Sequence, residues 1–76
     1  MLGDAVELAP IDWWVWCVKD VRQLVVVTAD TRLRAVREGV SKLKGARGIE
    51  DVDAQARRDG DTRESVSAQL ASRRAA

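Results

Sequence analysis

The chain has 76 residues, 46% hydrophobic and 33% charged, and its 13 basic and 12 acidic side chains leave a net charge of +1. A chain this short is one domain at most and buries only about 60% of the surface its unfolded form exposes, so any core of its own is small. The charge balance gives no bulk attraction to nucleic acid or anionic membrane, and the absence of His and Tyr beside a single Cys excludes the usual nucleophile and base pairings, an intramolecular disulfide and a Cys-based zinc site.

Residues 1–10 form an N-terminal segment. Asp4 and Glu7 stand at capping-box spacing, which predicts a short helical turn ended by Pro10. No basic residue opens the segment, so it does not read as a secretory signal, and the expected location is the cytoplasm or a virion or other large assembly. The apolar window that follows, Ile11 to Ala29, is broken by Asp12, Lys19, Asp20, Arg22 and Gln23. At roughly 2.5 to 3.5 kcal/mol for each central charge it does not read as a bilayer span.

From Ile11 to Glu38 there is neither Gly nor Pro. An apolar stripe runs through Trp14, Val18, Val21, Val25, Ala29, Leu33, Val36, Val40 and Leu43, with a mean step of about 3.6 residues, the α-helical repeat. This period predicts one long amphipathic helix over about 12–44 within an apolar element at 11–45, and with a short C-terminal helix over about 62–74 it makes the fold mostly α. The second half is supported by the i,i+4 pairs Asp30–Arg34, Arg34–Glu38 and Glu38–Lys42. Gly39 inside it costs about 1 kcal/mol relative to Ala, and Gly45 and Gly48 form the stop.

The alternative is an α+β arrangement with a hairpin at 13–28 followed by a helix capped by Asp30 or Thr31. Trp13 to Val18 and Leu24 to Thr28 are rich in strand-forming residues. The helix is preferred because the supposed turn at Lys19 to Arg22 lacks Gly, Pro and Asn, the flanking segments do not alternate polar with apolar, and the stripe continues in phase.

Residues 46–76 read as a polar linker and C-terminal arm, with only Ile49, Val52, Val66 and Leu70 as large apolar side chains. Arg57 to Asp61 is linker by composition. Asp61 or Thr62 followed by Glu64 starts the predicted C-terminal helix, where Val66 and Leu70 share a face and Arg73 and Arg74 suit the negative helix end.

Little in this inventory carries chemistry. Asp51 with Asp53, and Asp59 with Asp61, are spaced to hold a cation or exchange protons, but read more simply as a solvated acidic stretch. Gly45-Ala46-Arg47-Gly48 has the look of a phosphate loop without its Gly-Lys-Ser/Thr ending or a preceding strand, and reads as a helix stop. No catalytic, cofactor-binding or metal-binding residues are expected, and the chain reads as no enzyme. Cys17 is read as a small buried hydrophobe.

The Trp-headed element is the candidate functional feature, because Trp anchors protein interfaces. The residues assigned to such an interface are Trp13, Trp14, Trp16, Val18, Val21, Val25, Leu33, Val36, Val40 and Leu43. The expected function is that of a structural or assembly subunit packed against protein partners or further copies through this stripe. Arg outnumbers Lys ten to three and Phe, Tyr, His and Asn are absent, as GC-rich codons would supply; an untagged chain opening at Met1 suits a subunit of a natural assembly. A small virion (phage) or shell component from a high-GC source is the concrete version. One alternative is a regulatory protein binding nucleic acid or an acidic partner through Arg32, Arg34, Arg37, Lys42, Lys44 and Arg47. Another is a peripheral membrane protein anchored by its Trp residues. No small-molecule substrate is expected.

Leu24-Val-Val-Val-Thr-Ala-Asp-Thr-Arg-Leu-Arg34 resembles the second strand and following helix of gas vesicle shell proteins, and Ile11-Asp-Trp-Trp-Val15 is similar to the opening of their first strand. The resemblance covers under a third of the chain. It implies a strand, strand, helix order and a shell-building role. The connection between the two pieces is shorter here and no helix precedes the first, so no residue roles are carried over.

Overall fold

The computed structural model describes residues 9–75, with side chains up to Arg73; the helical turn expected at Asp4 to Glu7 lies outside them. Strands β1 (Ile11–Cys17) and β2 (Leu24–Ala29) form a hairpin, followed by helix α1 (Arg32–Lys42), a 3-10 turn at Ile49–Asp51, strand β3 (Val52–Ala56) and helix α2 (Arg63–Ala75). The three strands make one antiparallel sheet in the order β2-β1-β3. Register runs from Ile11 opposite Ala29 to Trp16 opposite Leu24 on one side of β1, and from Trp13 opposite Ala56 to Cys17 opposite Val52 on the other. β2 and β3 are therefore parallel to each other with β1 inserted between them, and α1 is the crossover that joins them.

The helices cover opposite faces of the sheet. Val15, Cys17, Val27, Ala29, Val52 and Ala54 pack with Ala35, Val36 and Leu43 of α1 and its end, while Trp14, Trp16 and Leu24 pack with Val66 and Leu70 of α2. Successive side chains of a strand point to opposite faces, so the run Trp14-Val15-Trp16-Cys17 supplies both cores in turn, and all four residues are buried. A central strand covered on both sides has no polar face, which removes the alternation that marks a half-exposed strand.

The long helix over 12–44 is thus corrected. Its first half is a hairpin and only its second half is helical, in the order of the α+β alternative; neither reading includes β3. The stripe misleads because its 4-residue steps keep a strand side chain on one face while its 3-residue steps switch face, and here both faces are apolar. Trp14 and Val25, one continuous seam on a helix, belong to different cores.

The hairpin connection, Val18 to Gln23, closes without Gly, Pro or Asn. Asp20 N–H donates to the Cys17 carbonyl at 3.2 Å and Gln23 N–H to the Asp20 carbonyl at 2.9 Å. The Asp20 carboxylate accepts from Arg22 N–H, Arg22 Nε and Gln23 Nε2, an Asx-type turn in which the side chain takes up donors the backbone cannot satisfy. Thr31 is the N-cap of α1, its Oγ1 accepting from Arg34 N–H at 3.2 Å. Thr62 caps α2 reciprocally with Ser65, each backbone N–H bonding the other's hydroxyl, a capping box with Ser in the usual Glu position.

β3 reads Val-Asp-Ala-Gln-Ala, a strict alternation whose apolar members are small. α1 lies close above its first residue and above β1: a Cβ on buried Gly39 would stand 2.3 Å from Val15 Cγ1 and 2.9 Å from Val52 Cγ1.

Candidate functional site

The ten residues assigned to an interface fall into three groups. Trp14 and Trp16, at 4% and 5% exposure, are covered by α2 with Val21 partly buried beside them. Val36 and Leu43 are buried in the α1 core, against which Trp13, Val25 and Val40 pack half-covered. Val18 and Leu33 are about half exposed, at 49% and 50%. The stripe is therefore divided between two intrachain cores and two separate surface positions, and the structure does not bring the ten together. Ile11, Val26 and Ile49 are the other exposed large hydrophobics.

The indole N–H groups of Trp13 and Trp14 each find a local partner. Trp13 Nε1 donates to the Ala29 carbonyl at 3.0 Å across the hairpin, and Trp14 Nε1 donates to Asp61 Oδ2 at 3.2 Å. The same Asp61 oxygen accepts from Arg58 N–H at 2.9 Å, and Asp61 N–H donates back to the Arg58 carbonyl. That turn needs Gly60, whose φ of +88° suits the third position of a type II turn. The Arg57 guanidinium lies 5.3 Å from the Trp14 ring centroid and 3.7 Å from Asp12. The stretch read as a linker, Arg57 to Asp61, is thus the clasp over Trp14. A Trp-anchored membrane contact needs ring exposure, which Trp14 and Trp16 lack. Among the described residues no helix is long and apolar enough to cross a membrane.

The candidate chemistry is absorbed by turns. Asp51 Oδ2 accepts from Arg47 N–H at 2.9 Å; that bond, with Lys19 nearby and the Gly48 backbone, holds the Asp51 carboxyl below its ordinary value despite partial desolvation. Asp53 pairs with Arg32. In the loop after α1, Gly45 N–H donates to Gln23 Oε1, Ala46 N–H to the Leu43 carbonyl and Arg47 N–H to Asp51, so the N–H groups a phosphate would need are occupied. No group of three or more metal-ligating side chains exists among the described residues. Of the basic residues, Arg32 and Arg34 pair with Asp53 and Asp30, whereas Arg37, Lys42, Lys44 and Arg47 are exposed.

What sequence reasoning missed is the difference between the two sheet edges. Cys17 N–H bonds the Gln23 carbonyl, and the bonding alternates from there. Val25, Val27 and Ala29 therefore face β1, and the backbone groups of Leu24, Val26 and Thr28 point away from it. Among the described residues those outward groups have no partner. By the same count from Val18 N–H to the Asp51 carbonyl and Arg57 N–H to the Asp12 carbonyl, the outward groups of β3 belong to Val52, Ala54 and Ala56. This second edge is guarded: Arg32 Nε donates to the Ala54 carbonyl at 3.2 Å, its Nη2 pairs with Asp53, and Asp53 Oδ1 accepts from Ala54 N–H. The sequence signal was available in the uncharged, β-branched run Leu24-Val-Val-Val-Thr-Ala29; which of its groups point outward follows only from the register.

Comparison of the chain with protein-family models, curated proteins and solved structures found no match. The resemblance to gas vesicle shell proteins accordingly rests on the quoted residues alone.

Proposed function

We propose that the chain is a non-enzymatic assembly subunit that joins other protein chains by backbone pairing at the free edge of β2. The observation that supports this reading is the edge itself: Leu24 to Ala29 carries no charge, Pro or Gly, and the outward groups of Leu24, Val26 and Thr28 are unpaired among the described residues. An open edge of this composition is a template for another strand, and proteins that keep such an edge unpaired usually blunt it with charge, Pro or a bulge. Within the proposal the Trp residues build the platform, fixing β1 and through it β2. A small virion or shell component of high-GC origin remains its concrete version, supported by composition.

The test is native size fractionation of extracts from cells expressing the full chain at low level. The expected result is a species larger than one chain that Val26→Lys returns to monomer size. Wild-type chain running as a monomer overturns the reading.

A second reading, binding of nucleic acid or another polyanion, is favoured by the exposure of Arg37, Lys42, Lys44 and Arg47 around the end of α1. It predicts association with duplex oligonucleotides that weakens steeply with salt. No association at low ionic strength removes it.

A further inference from the structure

The β2 edge is complementary to itself, and we infer that its partner is a second copy of this chain, paired antiparallel about a two-fold axis at Val26. This rests on the assembly reading above and names the occupant. Such an axis sets Val26 opposite the partner's Val26 and Leu24 opposite the partner's Thr28. These are the positions whose N–H and C=O point outward, and each opposed pair of this kind exchanges two hydrogen bonds.

Side chains agree with that register. Val25 falls opposite the partner's Val27 on the α1 face, a β-branched pair of the kind that stabilises neighbouring strands. Val26, 39% exposed, meets its own copy on the α2 face. No charged residue lies in the paired stretch to repel its symmetry mate. Immediately beyond it, the same register brings Arg22 of one copy level with the partner's Asp30. The Arg22 side chain is 90% exposed and pairs with Asp20 in its own turn, and Asp30 pairs with Arg34. Each end of the pairing therefore sets the Arg22–Asp20 ion pair of one copy beside the Asp30–Arg34 ion pair of the other, whereas a parallel arrangement in register would set Arg22 against Arg22 and Asp30 against Asp30.

The second edge explains why pairing stops at two. Arg32 and Asp53 occupy the outward groups at Ala54, so the dimer presents only guarded edges. A two-fold contact uses the same patch on both copies and closes on itself. The product is a continuous six-stranded sheet.

The experiment is light scattering of the purified full chain over a concentration series, with Val26→Lys and Val26→Pro beside it. Val26 N–H points away from β1, so Pro is compatible with β2 as an edge strand and removes only the outward donor; circular dichroism confirms that each variant folds. The expected result is twice the mass of a single chain for the wild type and dimer affinity reduced at least about tenfold in both variants. Amide exchange adds a readout independent of folding: Val26 N–H slows as wild-type concentration rises, while Val25 and Val27 N–H, bonded to β1, do not change. A wild-type monomer at all concentrations, or a dimer indifferent to both variants, overturns the inference. If the purified chain is monomeric while the extract species still depends on Val26, the second copy is excluded and a different strand is the partner, with the assembly reading intact.

Discussion

Asp20 shows how much one side chain decides. Its carboxylate holds the β1–β2 connection together, and its hydrogen bonds from Arg22 and then from Gln23 keep its carboxyl below the ordinary value of 3.8. A folded-state value below the unfolded one gives stabilisation that is fully present above the unfolded value and lost as pH falls through the folded value; Asp51 acts with the same sign. The melting temperature should therefore fall on acidification below about pH 4, and Asp20→Asn should flatten that fall. Melting curves between neutral and acid pH check this; parallel losses in both proteins would show that Asp20 contributes nothing. Trp14 makes the complementary case for a buried side chain. Trp14→Phe keeps an aromatic ring but loses the bond to Asp61, and should cost about 0.5 to 1.5 kcal/mol for that bond, because Asp61 Oδ2 still accepts from Arg58 N–H. Trp14→Ala should cost about 3 to 5 kcal/mol, much of the total stability of a domain this small. Urea denaturation separates the two.

Among the elements, the close seating of α1 on the sheet depends on Gly39. Helix propensity alone favours Gly39→Ala by about 1 kcal/mol, yet the added Cβ would stand 2.3 Å from Val15 Cγ1. Overpacking of this kind costs about 1 to 3 kcal/mol, so the variant should be destabilised in urea; a more stable Gly39→Ala would mean that α1 is free to lift. Seen from the sequence, Gly39 was only a flaw in a helix, because the reason for it lies on another strand. Local signals did reveal the helices: the pairs around Arg34 and Glu38 marked α1, and Thr62 with Val66 and Leu70 marked α2. The strands were harder for opposite reasons. β1 was hidden by being apolar on both faces, and β3 by the weakness of Val52, Ala54 and Ala56, although its period of two was intact. The hairpin turn, placed at Lys19 to Arg22 in the α+β alternative, was not the preferred reading because Asp20 closes it in a way that only the hydrogen bonds reveal.

For the whole molecule, the ordering β2-β1-β3 leaves two edges of unequal character, and that inequality sets the limit on assembly. The residues that guard β3 come from distant parts of the chain, Arg32 at the start of α1 and Asp53 within the strand, so the protection is a product of the crossover and invisible in either segment. The pair is about half exposed, at 59% and 43%, and an ion pair so placed contributes at most about 1 kcal/mol to stability. Its larger effect is on what can pair: with the guanidinium in place the Ala54 carbonyl is occupied and a charge lies along the edge, two of the devices by which sheets avoid joining indefinitely. Replacing both, Arg32→Ala with Asp53→Thr, should leave the fold nearly as stable while opening β3 to a strand of another copy. With β2 already able to pair, each chain would then have two adhesive edges, and the contact would no longer close. Light scattering should show the mass of the doubly substituted protein climbing with concentration past two copies, and adding Val26→Lys should stop the climb by blocking one edge of each chain. A mass distribution identical to wild type would mean that β3 is kept apart by its shape and not by Arg32 and Asp53.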